Sequence, residues 1–103
     1  MRFRVELTEQ ASAEAEEAFQ WIRASAPEAA VRWFEGLVDA VNSLSTFPER
    51  GARAPESKEF TQEIRQRLYK RYRILFVIED DVVYVLHIRH SARRHLRPEE
   101  IGI

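Results

Sequence analysis

Arg65-Gln66-Arg67-Leu68-Tyr69-Lys70-Arg71-Tyr72-Arg73-Ile74-Leu75-Phe76-Val77-Ile78-Glu79-Asp80-Asp81-Val82-Val83-Tyr84-Val85-Leu86-His87-Ile88-Arg89-His90 is the stretch that decides the fold. Two runs rich in β-branched and aromatic residues flank a short acidic break, which is a hairpin signal. The ends away from the break carry arginine and histidine. Register follows from burial. A two-residue turn at Asp80-Asp81 groups Tyr72, Ile74, Phe76 and Ile78 with Val83, Val85, His87 and Arg89, mixing charge into the most apolar face. A three-residue turn, Glu79 to Asp81, groups them with Val82, Tyr84, Leu86 and Ile88, a face apolar apart from two tyrosine hydroxyls. A one-residue slip turns every side chain over, so burial on one face favours the three-residue turn. Pairing of Phe76 with Val85 would exclude it.

Upstream, Phe3-Arg4-Val5-Glu6-Leu7 alternates, predicting a half-buried strand with Phe3, Val5 and Leu7 inward. Thr8 is a helix cap, and Ala11, Ala15, Ala18, Phe19 and Ile22 recur at helical spacing behind it. The break at Ala24-Ser25-Ala26-Pro27 precedes a second helix, with Ser25 and Glu28 in capping-box spacing. That helix presents Ala30, Phe34, Leu37, Val38, Val41 and Leu44 on one face, with Trp33 beside it. Trp21 and Trp33 read as core or seam residues. Phe47-Pro48 ends the helix, and Pro48 to Glu63 reads as a loop. Strand signals resume at Ile64, and Pro98-Glu99-Glu100-Ile101 suits a last helical turn. The predicted class is α+β: an N-terminal strand, an antiparallel helix hairpin, then a three-stranded antiparallel meander, with the helices packed on one face of the sheet.

The 103 residues suit a single domain spanning 1–103. No cysteine is present, which excludes disulfides and thiolate chemistry. No signal peptide and no apolar run of about 20 residues stands out, so a soluble, cytoplasmic protein away from membranes is expected. Net charge is -1, against a general nucleic-acid binder, but its distribution is uneven. Residues 1–64 balance to -5 and residues 65–98 to +6. A concentrated positive patch is expected.

In the favoured register, Arg71, Arg73, His87 and Arg89 share the outer face with Leu75, Val77, Val83 and Val85, and Arg65 and Arg67 join them. That half-basic, half-apolar surface, left uncovered by the chain's own helices, calls for a partner. His87 and His90 point to opposite faces of a strand, and His95 has no co-ligand, so neither a metal nor a cofactor is implied. Arginines beside histidines and tyrosines can support RNA cleavage, holding the phosphate while another group moves the proton, or can bind acidic groups without chemistry.

Two motifs carry a family resemblance: Tyr72-Arg73-Ile74-Leu75-Phe76, and Val83 through His90 continuing into Ser91-Ala92-Arg93. With the order of elements, they resemble the RelE/ParE superfamily of toxins from bacterial type II toxin–antitoxin modules. The His90-Ser91-Ala92-Arg93 ending is similar to the His-Gly-Ala-Arg type among ParE-like members. The resemblance implies a growth-inhibiting toxin, associated with plasmid stabilization and neutralised in a hetero-oligomer with a cognate antitoxin. The ParE-like branch implies inhibition of DNA gyrase. The alternatives are a ribosome-dependent messenger RNA endonuclease and a non-toxic, antitoxin-binding relic. Carried over to this chain, the nuclease pattern falls on Arg65, Arg67 and Arg73, with Arg93 and His95 as substitutes near the C-terminus. Its C-terminal tyrosine has no counterpart, because no tyrosine follows Tyr84. Enzyme activity is thereby left open. Expected contacts with the antitoxin or target are Arg65, Arg67, Arg71, Arg73, Leu75, Val77, Val83, Val85, His87, Arg89 and Arg93.

Overall fold

A computed structural model describes residues 2–101. Strand β1 (Arg4–Leu7) is followed by helices α1 (Glu9–Ser25) and α2 (Pro27–Asn42). A two-residue strand β2 (Ala52–Arg53) precedes β3 (Arg65–Tyr69), β4 (Tyr72–Glu79) and β5 (Val82–His90), and a helical turn α3 (Pro98–Ile101) ends the described chain. One five-stranded sheet has the order β1-β5-β4-β3-β2. β1 runs parallel to β5, and the other neighbours are antiparallel. The predicted α+β class and meander hold, with β2 added outside β3 from within the expected loop.

Thr8 caps α1 as expected: its Oγ1 accepts from the Ala11 amide at 3.1 Å. The same hydroxyl donates to the Leu86 carbonyl of β5 at 3.2 Å, so one group ends a strand, starts a helix and docks it on the sheet. Buried Ala11, Ala15 and Ala18 let α1 lie close against its neighbours. The Ser25 capping box is not made. Ser25 closes α1 by donating to the Ile22 carbonyl, Ala26 takes the cap position, and Pro27 starts α2 with its preset φ. The buried face of α2 is Ala30, Trp33, Leu37, Ala40 and Val41, rotated from the expected one. Trp33 therefore lies in the core, while Phe34 and Val38 are exposed. Leu7, expected inside, is also exposed, where the edge strand β1 ends.

The β4–β5 register departs from the expected one. Glu79 pairs with Val82 and Phe76 with Val85, so the turn is the two-residue Asp80-Asp81. Asp80 takes a left-handed φ of 54°, which aspartate tolerates better than most residues. Leu75 then pairs with His87, leaving Leu86 as a bulge. Val83, Val85 and Ile88 therefore face the helices with Ile74 and Phe76, while Tyr84 and Leu86 join Leu75 and Val77 on the other side.

That other side is not open. Ala54, Ile64, Leu96 and Ile101, from the 54–64 segment and the C-terminal tail, cover it and form a second small core. Leu75 and Val77 are 0% and 1% exposed there. The one-face burial argument fails because β4 and β5 are buried on both faces. Leu75→Ala should lower the unfolding free energy by about 2–5 kcal/mol, the usual cost of emptying a packed leucine site. Urea denaturation measures it, and a loss under about 1 kcal/mol would put Leu75 on an open surface.

Candidate functional site

Pairing across the sheet sorts the basic residues by face. Arg73 stands opposite Leu68 and Arg89, on the side of the second core. Arg65 and Arg67 stand opposite Phe76 and Ile74, on the helix side at the β3 edge. The single basic face expected from the sequence is thus split by the sheet itself.

On the second-core side the charges are buried and paired. The Arg73 guanidinium donates from Nη1 to Glu56 Oε2 at 3.0 Å, from Nη2 to Oε1 at 2.6 Å, and from Nε to Gln66 Oε1 at 2.9 Å. Glu56 also accepts from the Leu96 amide at 2.9 Å. Arg73 and Glu56 are 5% and 3% exposed. Burial pushes the Glu56 pKa upward, but the Arg73 hydrogen bond and the Leu96 amide outweigh it and hold the carboxyl at about 2. Arg89 is buried as well, and its Nε donates to the Arg94 carbonyl at 3.0 Å. Burial, then the nearby charge of Arg93, lowers the Arg89 pKa.

His87 is 3% exposed, between α1 and the tail. Its Nδ1 faces the Glu14 carboxylate at 3.1 Å and its Nε2 faces the Ile101 carbonyl at 3.0 Å. Both partners are acceptors, so the imidazolium satisfies both nitrogens. Burial disfavours that charge, but the Glu14 hydrogen bond and charge reverse the balance and raise the His87 pKa. Burial likewise works against the Glu14 carboxylate, whose pKa is nonetheless lowered by His87 and the Ile88 amide. Glu14 Oε1 accepts from that amide at 2.9 Å, standing in for the missing end of β1.

The remaining sequence candidates lie elsewhere. Arg65 Nη1 donates to the Glu49 and Gly51 carbonyls at 2.7 and 2.8 Å, holding the turn before β2. Arg67, Arg71, Arg93 and His95 are exposed. Leu75 and Val77 lie in the second core, and Val83 and Val85 beneath the helices, so none of the four lines an outer surface. The nuclease set is not assembled: Arg73 is sequestered, and Arg65 and Arg67 stand on the opposite face. Among the described residues no group of three or more His, Cys, Asp or Glu could hold a metal ion, and no helix is long and apolar enough to cross a membrane.

What the surface offers is different. A groove of about 960 Å³ lies between α1 and β5 past the bulge, lined by Glu17, Trp21, Tyr72, Ile88, His90 and Arg93 among others. Trp21, expected in the core or at a seam, is 76% exposed. Its place on the acidic side of α1, one turn after Glu17 and two after Glu14, is the sign the sequence carries. On α2, Val31, Phe34 and Val38 form an exposed apolar stripe at 37–52%. The second-face partners Glu56 and Glu14 carry no pattern that sequence reading recognises.

Two comparisons bear on this arrangement. The family model described as the ParE toxin of the type II toxin–antitoxin system parDE matches residues 5–95. A solved structure from the chromosomal ParDE toxin–antitoxin system of P. aeruginosa superposes with a TM-score of 0.73 at 18% identity, covering 86% of this chain and 96% of that one. No curated protein matches the sequence.

Removing one partner of the buried pair leaves a charge without compensation. Arg73→Ala should therefore cost about 3–5 kcal/mol, only part of it recovered in the Arg73→Met/Glu56→Leu double variant, which leaves the Leu96 amide without its acceptor. A single-variant loss below about 1 kcal/mol would mean that water screens the pair. The raised His87 pKa has a definite sign. Its stabilisation is complete below the ordinary histidine value of about 6.5 and fades as pH rises through the folded-state value. The urea midpoint should fall between about pH 6 and about pH 9 in the native protein and fall less in His87→Gln. Equal falls would exclude His87 as the source.

Proposed function

Since this chain belongs to the ParE family of toxins from type II toxin–antitoxin systems, we propose that it arrests growth by binding DNA gyrase, and that a cognate antitoxin neutralises it. The observation that carries the binding reading is the Arg73–Glu56 pair. The arginine that phosphate chemistry would need is held 2.6 Å from a carboxylate and 5% exposed. Arg65 and Arg67 sit across the sheet from it and cannot share a scissile phosphate with it. Binding without bond cleavage needs shape and surface chemistry, and the exposed residues supply both.

For the antitoxin, the fitting surface is the helix hairpin. Trp21 on α1 and the Val31, Phe34 and Val38 stripe on α2 are apolar, exposed and helically spaced, which suits the apolar face of an amphipathic partner helix. The groove beside Trp21 adds a concave surface with charges of both signs. Exposed aromatics at such places tend to dominate interface energies.

The experiment is a pair of assays on the purified chain. Gyrase supercoiling should be inhibited stoichiometrically and restored by the antitoxin, while ribosome-bound messages stay intact. Site-specific message cleavage that disappears in Arg93→Ala would replace the gyrase reading with the nuclease one. Inactivity in both, with antitoxin binding kept, would mark a relic.

A further inference from the structure

We propose that Arg89 and Arg93, on the tail side of the α1–β5 groove, bind a phosphate dianion, either free or as the monoester end of a small molecule. The site does not rest on the gyrase reading.

The buried charges of this half of the molecule leave one cation over. Glu56, Arg73, His87 and Arg89 are the buried ionisable side chains among the described residues. Glu56 is taken by Arg73 and the Leu96 amide, and half-buried Glu14 serves His87. Arg89 stands opposite Arg73 in the ladder and is 6% exposed, yet no carboxylate among the described residues pairs with it. Its Nε donates to the Arg94 carbonyl, and neither Nη has a partner there. Neither Nη is sealed from solvent, because Trp33 Nε1 is the one sealed side-chain nitrogen or oxygen among the described residues that lacks a partner. A buried guanidinium whose charge nothing neutralises is costly to keep, unless an anion reaches it.

The way in is the groove, which Arg89 and Arg93 line together. Its volume of about 960 Å³ is ample for a small molecule. Most of its other charges are already settled. Glu14 is with His87, and Glu100 is held by Arg94 at 2.7 Å and by the Arg97 amide at 2.9 Å. Glu17 belongs to the opposite wall, on α1. Arg93 is exposed, and its charge is near enough to depress the Arg89 pKa. Two guanidinium groups that repel each other are relieved by a doubly charged anion, and a single carboxylate settles half of that charge. The free Nη pair matches two oxygens of a phosphate. Depth then sets the form of the ligand. A monoester carries its oxygens at the end of a molecule and can reach a guanidinium buried to this degree. A phosphodiester has chain on both sides, and the groove would have to admit both. Trp21, 76% exposed on the same groove, offers an open aromatic face to whatever the monoester carries.

Calorimetric titration of the full chain at constant ionic strength takes inorganic phosphate, glycerol phosphate and adenosine monophosphate as probes, with acetate and a single-stranded oligothymidine as controls. Each phosphate should saturate one site, and the controls should bind more weakly. Arg93→Gln should weaken phosphate several-fold, and Arg89→Met should weaken it about tenfold or more. Because Arg89→Met removes a buried charge that has no counter-charge, its urea midpoint in chloride should equal or exceed that of the native chain. The rise in midpoint that phosphate gives the native chain should be lost in the same variant. Equal affinity for the three phosphates assigns the site to the phosphate group itself. Tighter binding of adenosine monophosphate, brought back to the phosphate value by Trp21→Ala, assigns it to the monoester of a nucleotide. Acetate binding as tightly as phosphate would overturn the dianion, and oligothymidine binding as tightly would overturn the monoester. The absence of saturable phosphate binding, or a phosphate response that Arg89→Met leaves intact, would overturn the site.

Discussion

The buried ion pair between Arg73 and Glu56 is the constraint on which the second half of the molecule depends. It joins β4 to the 55–59 turn and, through the Leu96 amide, to the C-terminal tail. Neither the turn nor the tail has regular structure enough to pack by itself, and β2 has only two residues. A charge on β4 facing an apolar layer must find a partner or stay in water. The partner arrives on the loop, and the loop and tail then bring Ala54, Ile64, Leu96 and Ile101 over Leu75 and Val77. The long segment before β3 is therefore a cover held down electrostatically at one point and by apolar contact around it.

His87 repeats the arrangement on the other strand. Glu14 reaches it from α1 and Ile101 from the tail. Two strands buried on both faces thus carry three buried cationic or basic side chains, Arg73, His87 and Arg89, each compensated by a group from a covering segment. The two covers are unlike. The hairpin side is closed by alanine-rich helix packing and the aromatic contacts of Trp33 with Tyr69 and Tyr72. The loop side is closed by fewer apolar groups, and polar links complete it.

Legibility in the sequence follows the same division. Local signals sufficed where a residue acts within its own element: the alternation of β1, the cap at Thr8, the alanine stripe of α1 and the existence of the β4–β5 hairpin. They failed where the outcome depends on what arrives from elsewhere. Alternation in β5 is interrupted by the bulge at Leu86, and a bulge leaves no compositional mark. Arg73, Arg89 and His87 look like surface charges because their partners, Glu56, the Arg94 carbonyl and Glu14, are 17, 5 and 73 residues away. Trp21 and Trp33 are the same residue type with opposite fates, decided by the rotation of each helix. For the site, Arg67, Arg71, Arg93 and His95 reached the surface, and the apolar candidates did not.

Counting basic residues therefore overstates the surface available to a polyanion. The +6 balance of residues 65–98 includes Arg73 and Arg89, which are spent inside the fold, and Arg94, which is paired with Glu100 at 2.7 Å. Arg65 is engaged with backbone carbonyls. The other basic residues of this stretch are dispersed: Arg67 stands on the helix side of β3, Lys70 and Arg71 in the turn before β4, and Arg93 and Arg97 in the tail. Such a distribution suits several small contacts with a protein surface better than one continuous phosphate track, which requires regularly spaced charge along a single groove. The fold thus uses Arg73 and Arg89 inside its second core, and contact with a partner protein is left to the exposed residues.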